Sequence, residues 1–158
     1  MKELTCCFTG HRKIPPKQYS AISRQLKNIL IELIEKGFRF FLAGGALGFD
    51  TLAGNLVTEL KKQYTQIRLI LVLPCKSQAN RWKDSDIAVY QSLKENSDAI
   101  IYTSENYTRE CFFLRNRYMV DHSSLCICYQ TQAKGGTCYT VQYAHKQHVD
   151  IINVAQFL

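Results

Sequence analysis

Apolar residues along this chain fall into two kinds of segment that alternate. Leu4 to Thr9 is a short β-rich run. Ile22, Leu26, Ile29, Leu30, Leu33 and Ile34 then recur at helical spacing, and Gly37 stands where a C-terminal cap belongs. Phe38 to Ala43 predicts a second strand, and Leu52, Ala53, Leu56, Val57 and Leu60 mark a second helix. Ile67 to Leu73 predicts a third strand, stopped by Pro74. Ser85 to Glu95 reads as helix, with Asp84 or Ser85 as its cap. Ala99 to Tyr102 predicts a fourth strand, and a helix starting between Thr108 and Phe112 carries Arg115 to Val120. Leu125 to Tyr129, Gly136 to Gln147 and Ile151 to Val154 complete the series as strand, helix and short strand. The strands are continuous apolar runs rather than in-out alternations, which marks a parallel sheet covered on both faces. The expected fold is a three-layer α/β domain, doubly wound and Rossmann-like, with a mainly parallel sheet.

At 158 residues the chain suits one domain, residues 1–158, and no composition shift, repeat or low-complexity tract divides it. Hydrophobic residues at 46% and charged residues at 21% exclude disordered and collagen-like classes. The longest apolar run, Ile67 to Pro74, is broken by Arg68 and is far too short to span a bilayer. The run after Met1 is too brief for the apolar core of a signal peptide. Seven cysteines is an odd number, and Cys6, Cys7, Cys126 and Cys128 sit inside apolar strands, where a free thiol packs as a small hydrophobe. No Cys-x-x-Cys occurs, so neither a zinc site nor a disulfide framework is expected. These features predict a cytoplasmic location, reduced thiols, no membrane partner and no metal.

In a doubly wound fold, ligands sit in the crevice beyond the carboxyl ends of the strands, so the strand-to-helix loops carry the chemistry. Much of the net charge of +7 gathers there. Arg12, Lys13, Lys76, Arg81, Lys83, Arg109, Arg115, Arg117 and Lys134 fall on this edge, against Asp50, Asp84, Asp86, Glu105 and Glu110. Two loops have the makings of a phosphate cradle: Gly44-Gly45-x-x-Gly48 and Gly135-Gly136-Thr137 each open a helix. Glycines there let the backbone approach closely, and the free amides of the first turn point at an anion. The same glycines would also serve a tight turn and nothing more. Two such loops on one edge, beside Arg12 and Arg115, favour phosphate. The Gly-x-Gly-x-x-Gly fingerprint after the first strand is absent, which argues against an ordinary dinucleotide-dependent dehydrogenase.

Taken together, Thr9-Gly10-His11-Arg12, Gly44-Gly45-Ala46-Leu47-Gly48-Phe49-Asp50, Gln78 and Trp82 after Pro74, Arg115-Asn116-Arg117, Tyr118 to Asp121 and Gly135-Gly136-Thr137 resemble the SLOG superfamily, and within it the YpsA-like family. That superfamily unites DprA with the Lonely Guy hydrolases. The resemblance covers essentially the whole chain and rests on the order and spacing of the motifs. It implies a Rossmann-like pocket for a nucleotide or nucleotide-derived ligand such as NAD, ADP-ribose or a nucleoside phosphate, in a sensor or regulatory role. The related families often dimerise, which makes a homodimer one arrangement open to the chain without fixing its oligomeric state. Lonely Guy enzymes cleave nucleoside monophosphates with an arginine and a glutamate, and Arg115 fits the arginine. The glutamate position holds Thr140, and a hydroxyl cannot stabilise an oxocarbenium ion or activate water as a carboxylate does. Arg115-Asn116-Arg117 and Gly136-Thr137-x-x-Thr140 are similar to DprA, a binding protein.

Each candidate also has a plainer role open to it. Arg12 is suited to clamp a phosphate or to pair with Asp50 or Asp121. His11 can bond a ribose, cap a helix or act as a base. Asp50 can accept from a ribose hydroxyl or favour its helix through the macrodipole. Trp82 can stack on a base or pack on a helix. Arg115 and Arg117 are the foremost anion binders, and Cys75 lacks an activating histidine. The sequence thus favours a binder over an enzyme. A nucleotide hydrolase using Asp50 or Asp121, and single-stranded DNA binding through the basic edge with Trp82, Tyr102 and Tyr107 as platforms, are the alternatives.

Overall fold

The computed structural model describes residues 1–158. Along the first half run β1 (Thr5–Gly10), α1 (Tyr19–Glu35), β2 (Phe40–Ala43), α2 (Phe49–Leu60), β3 (Arg68–Leu73) and α3 (Asp84–Asn96). The second half continues with β4 (Ala99–Tyr102), α4 (Cys111–Asp121), β5 (Leu125–Tyr129), α5 (Gly136–Lys146) and β6 (Asp150–Asn153). The six strands form one sheet, parallel throughout, in the order β4-β3-β2-β1-β5-β6. No helix is long and apolar enough to cross a membrane.

Period-two alternation divides each buried strand between two cores. From β1, Cys6 and Phe8 join Ile22, Leu26 and Leu30 of α1 and Leu52 and Leu56 of α2, whereas Cys7 joins Met119 and Val120 of α4 and Ala144 of α5. This follows from the order of the strands. Right-handed crossovers carry the chain outward from β1 to β4 and leave α1 to α3 on one face; the return to β5 places α4 and α5 on the other. Coverage of the second face is therefore less complete than the apolar strands suggest. Phe40, Leu42, Ile70 and Ile101 line a groove of about 400 Å³ beside Tyr118.

Local chemistry explains where the elements stop. Gly37, at φ 103°, closes α1: its N–H donates to the Ile34 carbonyl and the Phe38 N–H to the Leu33 carbonyl, each at 3.0 Å. Phe38 is thus spent on the cap, Arg39 makes the first bonds toward Leu4 and Arg68, and β2 starts at Phe40 rather than Phe38. Asp84 and Asp86 lie inside the first turn of α3, behind Lys83, which makes no side-chain cap. Their carboxylates act on the helix dipole instead of capping it. All seven cysteines are free and buried.

The register pairs Gly10 with Tyr129 at the carboxyl ends of β1 and β5. Strand order reverses there, so the loops after these two strands diverge to opposite faces and leave a crevice between them.

Candidate functional site

A cleft of about 440 Å³ occupies that crevice. Its lining brings together Gly10, His11 and Arg12 after β1, Asp50 in the first turn of α2, Arg115 of α4, and Gly135, Gly136 and Thr137 at the start of α5. Phe112, Asn116, Gln132 and Lys134 complete the wall. Phe49 sets this geometry from below. Its fully buried ring packs against Phe8 and Tyr129, and its N–H donates to the His11 carbonyl at 3.2 Å. The next residue, Asp50, is thereby aimed into the cleft.

Arg115 is the central cation. It is only 4% exposed, its Nη1 donates to the Gly44 carbonyl, and its Nε donates to Asn116 Oδ1 at 2.7 Å. Its guanidinium lies 5.7 Å from the centre of the Phe112 ring, and that of Arg12 lies 5.6 Å from the same centre. The ion pairs of the chain, Lys27–Glu59, Lys61–Asp98 and the N-terminus with Glu3, all lie elsewhere. Arg12 therefore pairs with neither Asp50 nor Asp121; Asp121 instead accepts from the Tyr143 hydroxyl at 2.7 Å. Burial lowers the pKa of Arg115 from its ordinary value, Asp50 opposes that fall, and Arg12 adds to it.

Asp50 is 6% exposed and accepts from the Ala46 N–H at 3.4 Å. Burial raises its pKa to about 6, outweighing the opposite pull of Arg115, the Ala46 N–H and Arg12. The cleft is thus lined by two guanidiniums and Lys134 against one carboxyl group that titrates near neutrality. Its balance is positive.

His11 has a structural task. The Thr131 N–H donates to its Nε2 at 2.9 Å, which ties the loop after β5 to the loop after β1 and requires a neutral ring. Burial lowers its pKa, in keeping with that neutral form.

The two glycine loops differ in a way their sequences do not show. At α5 the first helical bond runs from Tyr139 N–H to the Gly135 carbonyl, so the amides of Gly136, Thr137 and Cys138 have no helical acceptor. A Cβ built on Gly136 meets nothing within 4 Å, so the space in front is open. At α2 the way is closed. A Cβ on Gly48 would strike the Arg12 backbone, the Phe49 amide is already bonded, and Asp50 fills the first turn. Gly44, Gly45 and Gly48 support the wall; the open helix terminus belongs to α5.

Besides Gly44, Gly45 and Gly48, which do not line the cleft, two further sequence candidates lie outside it. Arg117 donates from Nε to the Tyr139 hydroxyl at 2.6 Å, with its guanidinium over the Tyr139 and Tyr143 rings. Trp82 packs against Tyr90 and lines a neighbouring hollow. Conversely, Phe112 and Gln132 line the cleft although no motif contains them, as does Asn116, which lies inside the Arg115-Asn116-Arg117 motif without being singled out as a contact. Phe112 carries a signal, since it precedes Arg115 by three residues and so shares its helix face.

The family model of YpsA, the YspA SLOG family, matches residues 6–155. The chain belongs to this family. Among similar proteins, the uncharacterised SPbeta prophage-derived protein YoqJ of Bacillus subtilis is 30% identical over 138 residues, covering 79% of this chain and 81% of that protein. A UPF0398 protein of Halalkalibacterium halodurans is 27% identical over 129 residues, covering 80% and 68%. Among solved structures, DNA processing protein A from Helicobacter pylori superposes with a TM-score of 0.67 at 19% identity, over 95% of this chain and 64% of that one. DprA from Streptococcus pneumoniae gives 0.66 at 14% identity, over 95% and 50%. The chain thus spans less than two thirds of both solved chains, and the likeness is one of fold. Within this SLOG fold, the Thr140 hydroxyl donates to the Gly136 carbonyl at 2.9 Å and is buried, so it stiffens the first turn of α5.

Proposed function

We propose that the cleft binds the phosphate of a nucleotide or nucleotide-derived ligand of the NAD or ADP-ribose kind, and that its occupancy serves a sensing or regulatory role. The observation that carries this is Arg115: a buried guanidinium that forms no ion pair with its one carboxyl neighbour, Asp50, and that stands beside Arg12 and Lys134, facing the open amides of α5. Burying an unpaired cation is costly unless an anion completes the site. A phosphate bonded by first-turn amides and by guanidiniums supplies that anion.

The test is a thermal-shift panel of nucleoside phosphates, NAD and ADP-ribose. A ligand at a hundredfold its Kd should stabilise by about 2.7 kcal/mol. Gly136→Asp places a carboxylate in the open space and should abolish the shift without unfolding the chain; Arg115→Ala should abolish it as well. A shift retained in both variants refutes this site.

Asp50 favours a second reading, in which its carboxyl, close to neutrality, takes the part of the missing glutamate in a hydrolase. Full recovery of NAD, ADP-ribose and nucleoside monophosphates after incubation with the protein would dismiss it. The solved Helicobacter pylori protein is described as having a single-stranded DNA binding mode. For this chain, the rings of Tyr139 and Tyr143 under Arg117 on α4 and α5 support that third possibility. Binding of an oligonucleotide that stays unchanged between low and moderate salt would speak against it.

A further inference from the structure

Beside the cleft, the loop between β3 and α3 borders a second hollow of about 440 Å³, lined by Ser77, Gln78, Asn80, Arg81, Trp82 and Tyr107. Gln78 is 9% exposed; its Nε2 donates to the Tyr90 hydroxyl at 3.2 Å, and its Oε1 is buried with no partner. It is the one buried side-chain polar atom of the chain left in that state. Buried amide oxygens are ordinarily bonded, so an orphan is a standing acceptor for a donor brought from outside. Trp82 is half-buried, its ring centre 5.2 Å from that of Tyr90 and inclined at 69°. Tyr107, at the rim of the hollow, is 63% exposed.

The hollow and the cleft share two walls. A Cβ on Gly44 would fall 2.7 Å from both Arg115 Nη1 and Asp50 Oδ2, on the cleft side. A Cβ on the next residue, Gly45, would fall 3.2 Å from the Tyr90 ring and 3.6 Å from Gln78 Nε2, beside the hollow. Across from this ridge, Tyr107 of the hollow packs edge-on against Phe112 of the cleft at 5.9 Å. One ridge of two glycines and one pair of rings therefore divide a positively charged site from an aromatic, amide-bearing one.

We propose that this hollow is the nucleobase subsite of the ligand whose phosphate occupies the cleft, and that it takes a base with an exocyclic amino group. The inference rests on the anion-binding reading of the cleft. The base stacks on Trp82 with Tyr107 closing over it, and its amino group donates to Gln78 Oε1. Stacking tolerates any base, whereas the recessed amide oxygen rewards a donor that projects beyond the ring, as an exocyclic amino group does and the ring N–H of hypoxanthine does not. Because Oε1 is sealed from solvent, a small displacement of Trp82 accompanies entry, and the indole reports on it directly.

Trp82 is the only tryptophan in the chain. The full chain is titrated with AMP, IMP, ribose 5-phosphate and inorganic phosphate, with indole fluorescence excited where purines do not absorb and Tm recorded in parallel. AMP should change the Trp82 emission and bind tighter than ribose 5-phosphate by roughly tenfold or more. Ribose 5-phosphate and phosphate should raise Tm without changing the emission. Tyr107→Ala, at an exposed position, should weaken AMP about tenfold and leave ribose 5-phosphate unaffected. Gln78→Leu should erase the preference for AMP over IMP. If AMP and ribose 5-phosphate bind alike with the emission unmoved, while Gly136→Asp still abolishes their thermal shifts, the base subsite is refuted and the cleft stands. If IMP equals AMP in the unmodified protein, the amino-group requirement is refuted. If none of the four probes shifts Tm, the cleft reading fails and the subsite falls with it.

Discussion

Asp50→Asn should make the protein more stable at neutral pH. The Asp50 carboxyl is buried beside Arg115, and burial raises its pKa from the ordinary 3.8 to about 6. Its ionised form is therefore better tolerated by the unfolded chain than by the native one. Below about pH 4 the group is protonated in both states and no cost arises. Between about pH 4 and pH 6 the native chain keeps a proton that the unfolded chain has released, so stability falls as pH rises. Above about pH 6 the whole cost is present, roughly 3 kcal/mol for this difference in pKa. Asparagine has nearly the same shape, keeps an oxygen for the Ala46 N–H and carries no charge to desolvate. At pH 7.5 the variant should gain on the order of 2–3 kcal/mol, which for a domain of this size raises Tm by roughly 5–10 °C. Urea unfolding at several pH values measures it. His11 titrates in the opposite sense, its lowered pKa costing stability as pH falls, so the informative quantity is the difference between the two proteins. A variant no more stable at pH 7.5, or a gap that stays open as pH falls toward 4, would refute the argument. Such a stabilisation would also place Asp50 among groups retained for the site at the expense of the fold.

Other outcomes follow from the same geometry. Sulfate, whose charge is constant over the range, should stabilise the protein more at pH 5.5 than at pH 7.5, because protonation of Asp50 removes the negative charge facing the cleft; Asp50→Asn should flatten that dependence in a thermal-shift series. Gly37→Ala, at φ 103° with nothing within 4 Å of the new Cβ, should cost about 1–2 kcal/mol from backbone strain alone. Gly48→Ala, at φ 81° and with its Cβ driven into the Arg12 backbone, should cost clearly more and weaken phosphate binding; equal losses in urea titrations would contradict this. Native thiols should react slowly with an aromatic disulfide reagent and all seven rapidly in denaturant. All are buried, and burial pushes the Cys128 pKa up to about 12.

Elements with strong local signals are legible in the amino-acid sequence. Helical spacing of Ile22, Leu26, Leu30 and Leu33 and the Gly37 cap place α1, and apolar runs place all six strands, because backbone sterics and burial act over a few residues at a time. The crevice is legible for the same reason: Gly10, His11, Arg12 and Gly135 to Thr137 sit at strand ends, and an alternating chain can only bring those ends to one edge of the sheet. Asp50 and Arg115 follow from their nearness to those ends. Other features depend on how elements pack. Arg115 and Arg117 are two residues apart on α4 and so point to nearly opposite sides. Only the seating of α4 on the sheet makes Arg115 lose its water while Arg117 rests on Tyr139. The glycine loops at α2 and α5 look equivalent as strings, yet the β1–α1 loop lies across the first and leaves the second open. Trp82 belongs to a separate hollow because the Gly44–Gly45 ridge stands between it and Arg115. Local periodicity and composition thus suffice for the elements, the sheet edge and the sign of its charge. Which cations are desolvated, which helix terminus is free and which carboxyl titrates near neutrality depend on the packed fold, because desolvation is a property of neighbours distant in the chain.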